Sequence, residues 1–188
     1  MSRILIAYAT GEGQTRKIAQ ALEGQFQALG HTVRVADLTA RGNPPDPAAH
    51  DAVVVAASVH AGRHQKHALR FVTRHRDALT QRPNAFLSVS LFAAASKEAG
   101  LQQAREQVNA FLEKAGWQPE HVEMVAGAFR MSRMGWFGRW VLRRMLGLFR
   151  RELERTGWPD VLGGDAEYTD WDALHRFGER FAAALSRA

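Results

Sequence analysis

The chain switches repeatedly between two hydrophobic periods. "RILIAYA" (3–9) is a short apolar run closed by a Gly-rich turn, the pattern of a buried strand. From 15 to 29 the spacing turns helical, with Ile18, Ala19, Leu22, Phe26 and Leu29 on one face and Gly30 as the stop. "HTVRVADL" (31–38) reads as a second strand, and the Pro- and Gly-rich 39–50 as a loop. "DAVVVAAS" (51–58) is apolar throughout, as a central parallel strand should be. A loop over 59–65 precedes a helix carrying Ala68, Leu69, Phe71 and Val72. "NAFLSVSLF" (84–92) predicts a fourth strand, 98–115 a helix ended by Gly116, and "HVEMVAGAF" (121–129) a fifth strand. Residues 130–166 break the rhythm, and 168–187 predict a closing helix capped by Thr169 or Asp170.

Strands alternating with helices imply a doubly wound α/β fold, a parallel sheet with helices on both faces. Five strands fit one domain over 1–188, with 130–166 as an insert, and no internal repeat is visible. Sheets of this kind bind ligands at the carboxyl ends of their strands, so the loops after strands one, three and four are the places to seek chemistry.

The first of these loops is dense in small donors: Thr10, Gly11, Glu12, Gly13, Gln14 and Thr15 stand between strand and helix. A helix N-terminus there welcomes an anion. Gly11-x-Gly13 lacks the third glycine of a dinucleotide fingerprint, and no Gly-Lys-Ser/Thr of a Walker loop is present. A mononucleotide phosphate held by hydroxyls and amides fits; an ordinary turn with Thr15 as a cap is the alternative. Asp37, where a ribose-binding acid sits in dinucleotide folds, reads without that fingerprint as a loop carboxylate. His60, His64 and His67 lack carboxylates and a fourth ligand, so no metal site is expected. Tyr168 and Trp171 read as a helix-start packing pair.

Charge singles out the insert. The net charge is +6 with a pI near 10.4, and Arg130–Arg155 holds eight arginines against Glu152 and Glu154, which is the whole excess. On a helical wheel over 136–151, Phe137, Val141, Leu142, Met145, Leu146, Leu148 and Phe149 fall on one arc. Arg139, Arg143, Arg144, Arg150 and Arg151 fall on the other, with Trp136 and Trp140 among them. Arginine and interfacial tryptophan opposite Leu, Met and Phe suit a helix lying in a membrane surface. The same arginines, with Arg133, could grip carboxylates bidentately, or the apolar arc could pack on the protein's own core. RNA binding would suit Arg and Trp but has no accompanying motif, so no nucleic acid is expected. The absence of cysteine fits a reducing compartment, the N-terminal run is too short for a signal peptide, and no apolar run is long enough to span a bilayer.

"TGEGQT" (10–15) resembles the phosphate loop of flavodoxins. With "ASVHAGRHQKHALRFV" (57–72), "FLSVSL" (86–91), "AGAFRMSRMGWFGRWVLRRMLG" (126–147) and "YTDWDAL" (168–174), nearly the whole chain resembles the flavodoxin-like, quinone-dependent protoporphyrinogen oxidases of bacterial haem synthesis. The resemblance implies a five-stranded sheet of order 2-1-3-4-5 and an FMN held by three loops. Thr10, Glu12, Gly13, Gln14 and Thr15 would hold the phosphate. Ser58, Val59, His60, Ala61 and Gly62 would line one side of the isoalloxazine and Ser90, Leu91, Phe92 and Ala93 the other, with His60 and Phe92 as aromatic walls. It implies oxidation of protoporphyrinogen IX to protoporphyrin IX, six electrons in pairs, with menaquinone or ubiquinone as acceptor. The setting would be the cytoplasmic face of the cell membrane, held peripherally; oligomeric state stays open. His60 and Arg63 are candidates for proton handling and substrate charge. Arg133, Trp136, Phe137, Arg139, Trp140, Arg143, Arg144, Leu148, Arg150 and Arg151 are candidates for substrate or membrane contact. Two other functions compete: a flavodoxin-type electron shuttle, which a basic insert disfavours because such carriers are typically acidic, and an NAD(P)H:quinone reductase, for which no nicotinamide site is visible.

Overall fold

The computed structural model describes residues 1–133, 135–159 and 164–185. Apolar alternation builds a two-faced sheet. In β1 (Arg3–Ala9), Ile4, Ile6 and Tyr8 point to one side and Leu5, Ala7 and Ala9 to the other, all buried. Each face therefore needs its own helices. The first side meets Ile18, Leu22 and Phe26 of α1 (Gln14–Ala28) and Leu174, Phe177 and Phe181 of α6 (Trp171–Leu185). The second meets Phe71, Val72 and Leu79 of α2 (Lys66–Thr80) and Val108 and Phe111 of α3 (Glu98–Ala115). Each fully buried Ile, Leu or Phe contributes about 1.5–3 kcal/mol.

β1 pairs in parallel with β2 (Thr32–Asp37) and β3 (Ala52–His60), β3 with β5 (Asn84–Ser90), and β5 with β6 (His121–Ala126). The order 2-1-3-5-6 is that of a doubly wound flavodoxin-like sheet, a hairpin arm taking the fourth number. Because the strands are parallel and in register, Thr10, Ser58 and Phe92 all emerge at one edge. At the opposite end, buried Asn84 donates to the carbonyls of Leu79 and Arg82 and accepts from Glu120 N–H, so its own amide is satisfied.

Four stretches depart from the sequence expectation. The loop expected at 59–65 is a β-hairpin: β3 runs on to His60, turns at Ala61-Gly62 and returns as β4 (Arg63–His64). Both turn residues have positive φ, 49° and 76°, which matches the twist of a two-residue hairpin. The strand expected at 121–129 breaks at Gly127. Its N–H still donates to Ser90 O, but beyond it β7 (Ala128–Phe129) leaves the sheet to pair with β8 (Ala166–Glu167). The single helix expected over 136–151 is two, α4 (Trp136–Leu148) and α5 (Arg150–Thr156), parted at Phe149. Docking enforces the break: α5 lies so close to α3 that a Cβ on Gly100 would collide with the carbonyl oxygen of Thr156. The closing helix begins at Trp171 rather than 168, behind Asp170, one of the two caps expected, which accepts from Ala173 N–H at 2.8 Å.

Candidate functional site

Three strand ends meet in one cavity of about 500 Å³. Its first wall is the turn between β1 and α1. Gly13 sits there at φ 95°, a conformation open to glycine at little cost, and its N–H donates to Thr10 Oγ1 at 2.9 Å. Gly11 N–H donates to Ser58 Oγ at 3.3 Å, tying this turn to the end of β3. The first N–H groups of α1 have no intrahelical partner by geometry, and the first turn carries no acid. Thr15 is wholly buried, and its Oγ1 has no hydrogen-bond partner. Gln14 Nε2 donates to Thr169 Oγ1 at 2.9 Å, which in turn donates to Ala126 O, while Gln14 Oε1 has no partner. A buried, unpartnered hydroxyl beside the free N–H groups of a helix N-terminus is costly when empty and is what a phosphate would satisfy. The residues present fit a mononucleotide phosphate.

The neighbouring cations are engaged on the outer side of the turn. Arg16 donates to Tyr8 Oη and Asp37, and Asp37 also accepts from Thr39. Burial pushes the Asp37 carboxyl up, but the bonds from Thr39, Arg16 and Tyr8 outweigh it and hold the group below its ordinary value. Asp37 is therefore a strut of the β1–α1 turn. Lys17 pairs with Glu167, which also accepts from Arg130 and Trp171, so β8 is fastened to α1. The Lys17 ammonium keeps the Glu167 carboxyl below its usual range.

The second wall is the hairpin tip, with Ser58, Val59, His60, Ala61 and Gly62. Arg63 faces His60 across the hairpin and does not line the cavity. His64 turns the other way. Its Nε2 meets Ser88 Oγ at 2.8 Å, and its ring packs on Phe86 and Phe111, so burial lowers its pKa to about 4. The three histidines do not converge. The third wall holds Ser90, Leu91 and Phe92, whereas Ala93 lines a neighbouring hollow beside β6. Glu12 is exposed at the rim.

Sequence reasoning missed the fourth wall, Gln107, Gly127, Ala128, Phe129 and Trp158. Trp158 meets Phe92 edge-on at 4.4 Å, so the aromatic lining is not limited to His60 and Phe92. Gly157 places it: at φ 64° the chain presses on Ser96 and Lys97, where any Cβ would clash. Gln107 had a readable signal, a polar residue inside the apolar stripe Ala104, Val108, Phe111. Trp158 of the insert and Gly127, Ala128 and Phe129 just before it thus wall the cavity, and Ser132 clasps the two ends of the insert by donating from N–H and Oγ to Asp165 at 2.7 and 2.6 Å.

Of the insert candidates, Trp136 (79%), Trp140 (56%) and Leu148 (78%) are exposed, as are Arg144, Arg150 and Arg151. Arg144 stacks over Trp140 at 5.9 Å, and Arg150 pairs with Glu154. Arg133, Phe137, Arg139 and Arg143 lie outside the side chains that the structure describes. Among the described residues, no helix is long and apolar enough to cross a membrane.

A family model for the flavodoxin domain matches residues 5–151. The chain belongs to the flavodoxin domain family. It is 29% identical over 180 residues, 96% of this chain and 94% of the relative, to a protein of Escherichia coli K12 named protoporphyrinogen IX dehydrogenase [quinone]. A Leishmania major protein of the same name is 27% identical, covering 96% of this chain and 75% of the relative. Among solved structures, Bacillus cereus flavodoxin 1 superposes with a TM-score of 0.54 at 14% identity, covering 97% of this chain and 98% of its own. A Streptococcus pneumoniae flavodoxin gives 0.55 at 16%, covering 97% and 99%. The structural likeness establishes the flavodoxin fold, and that fold and domain imply a bound flavin.

Proposed function

We propose that this flavodoxin-family chain is an oxidoreductase that oxidises protoporphyrinogen IX to protoporphyrin IX with FMN as cofactor and a membrane quinone as acceptor. One observation carries the reading: the cavity that offers a phosphate cradle is lined on another side by Gly127, Ala128 and Phe129, which lead into an Arg- and Trp-rich insert, and by Trp158 within that insert. An electron shuttle needs the cradle alone. A large anionic, lipid-soluble substrate needs the second wall as well. The likeness to the dehydrogenases, which runs through the insert, supports the same reading.

FMN, when bound, would supply two-electron redox chemistry between tetrapyrrole and quinone. Thr10, Gly13, Gln14 and Thr15 would hold its phosphate, and Glu12 stays at the rim. The 58–62 hairpin and Ser90–Phe92 flank the ring and exclude water, while Ala93 supports them from behind. His60, on the rim, receives a substrate proton. Arg63 lies beyond the wall and draws the substrate propionates inward rather than touching the ring. The exposed face of α4 and α5 rests on anionic lipid, where quinone and tetrapyrrole are both dissolved. Loss of six electrons and six protons from one porphyrinogen is balanced by reduction of three quinones to quinols.

Anaerobic incubation of FMN-loaded protein with protoporphyrinogen IX and a soluble quinone tests the reading. Porphyrin fluorescence should rise with a 3:1 ratio of quinol to porphyrin. A yellow protein that leaves the porphyrinogen unchanged would point to the shuttle instead.

A further inference from the structure

Two residues that line the cavity each carry a buried polar atom with no hydrogen-bond partner, and the two are of opposite character: Gln107 Oε1 on α3 and Trp158 Nε1 behind α5. Such atoms are rare in folded proteins, and each costs roughly 1–3 kcal/mol when nothing meets it. Here both belong to one wall. Gln107 stands one helical turn before Phe111, whose ring packs on His64 at 5.0 Å, so it continues the surface under the 58–62 hairpin. Trp158 is held by Phe92 from the other side. Neither residue belongs to the three loops expected to hold the flavin.

The indole can only donate, and the amide oxygen can only accept. A ligand edge that satisfies both must present an acceptor beside a donor on a flat ring. A quinone edge presents acceptors alone. The imide edge of a flavin, carbonyl–NH–carbonyl, presents both. We infer that Gln107 and Trp158 read that edge of the isoalloxazine, Gln107 Oε1 accepting from the ring imide N–H and Trp158 Nε1 donating to an adjacent carbonyl. The inference rests on the FMN reading above. It assigns ring recognition to a helix and an insert, and so makes the insert part of the cofactor site.

The test is a titration of apoprotein with FMN and with N3-methyl-FMN, followed by quenching of flavin fluorescence. Wild type should bind the methylated ring about tenfold more weakly, since one hydrogen bond is lost and a methyl group crowds the amide. Gln107→Leu should bind FMN about five- to tenfold more weakly and no longer discriminate between the two. Gln107→Ala beside it separates a packing defect from loss of the acceptor. Trp158→Phe, which keeps a ring against Phe92, should weaken both flavins alike by about fivefold. Discrimination that persists in both Gln107 variants, or wild-type FMN affinity in Trp158→Phe, overturns the inference and leaves the FMN reading standing. Wild-type protein that takes up neither flavin removes both.

Discussion

The phosphate cradle and the insert are made of opposite materials. On the phosphate side, Thr15 is wholly buried, Gln14 nearly so, and the neighbouring charges are spoken for. On the insert side, Trp136, Trp140, Leu148 and Phe149 stand in solvent among arginines. Side chains of the first side are ordered by the fold before any ligand arrives. Those of the second leave large apolar side chains exposed beside arginines, the composition on which the lipid contact proposed above rests. On the proposed function, the contrast separates a cofactor site, which tolerates little change, from a docking surface, which should be editable without harm to the fold.

The largest expected effect sits on the surface. Arg144→Glu with Arg151→Glu reverses two charges, and each charge near anionic lipid is worth roughly 1 kcal/mol. Binding to vesicles of phosphatidylglycerol should fall by about 100-fold or more, measured by co-sedimentation, with the melting temperature and FMN affinity unmoved. If vesicle binding survives, the insert is not the docking surface.

Beneath the cofactor side, His64 should show the reverse sensitivity. It is buried neutral with a pKa near 4, against 6.5 in the unfolded chain. Between those values the unfolded state binds more protons, so stability is complete above about pH 6.5 and drains away as pH falls toward 4. The loss is about 3 kcal/mol over that window. Urea unfolding from pH 7 to 4 should show the slope, and His64→Gln should flatten it. An unchanged slope would mean that the ring protonates without cost. Thr15→Val comes next: removal of one hydroxyl facing a charged phosphate should cost about 2 kcal/mol, near 30-fold in FMN affinity, and leave vesicle binding alone.

How much of this was legible follows from the same contrast. β1, β3 and β5 are continuous apolar runs, so their burial and parallel pairing were readable, and with them the loops that meet at the cavity. α3 was bounded correctly because Gly116 stops it at φ 61°. The hairpin at 59–64 was hidden because Ala61 occupies a position where Asn or Gly would have announced the turn. β7 and β8, two residues each, are too short to show a period. The break between α4 and α5 is set by α3 across the fold, and the helical pattern runs through Phe149 without a mark. Trp158 lies far in sequence from Phe92; their meeting depends on tertiary packing at Gly157.

The smallest effect concerns the hidden turn. Ala61 holds φ 49° at the cavity lip, where an L-residue pays about 1–2 kcal/mol. Ala61→Gly relieves that strain but gives the unfolded chain more freedom, a cost of roughly 0.5–1 kcal/mol. The net expectation is a protein more stable by about 0.5–1 kcal/mol, with the melting temperature raised by about 2 °C. Affinity should move the other way, because a glycine turn presents the His60 arm less rigidly and FMN must order it on binding. Stability up and FMN affinity down by about twofold would show that the lip is strained in order to be stiff. If both rise together, the strain has no role in holding the ring.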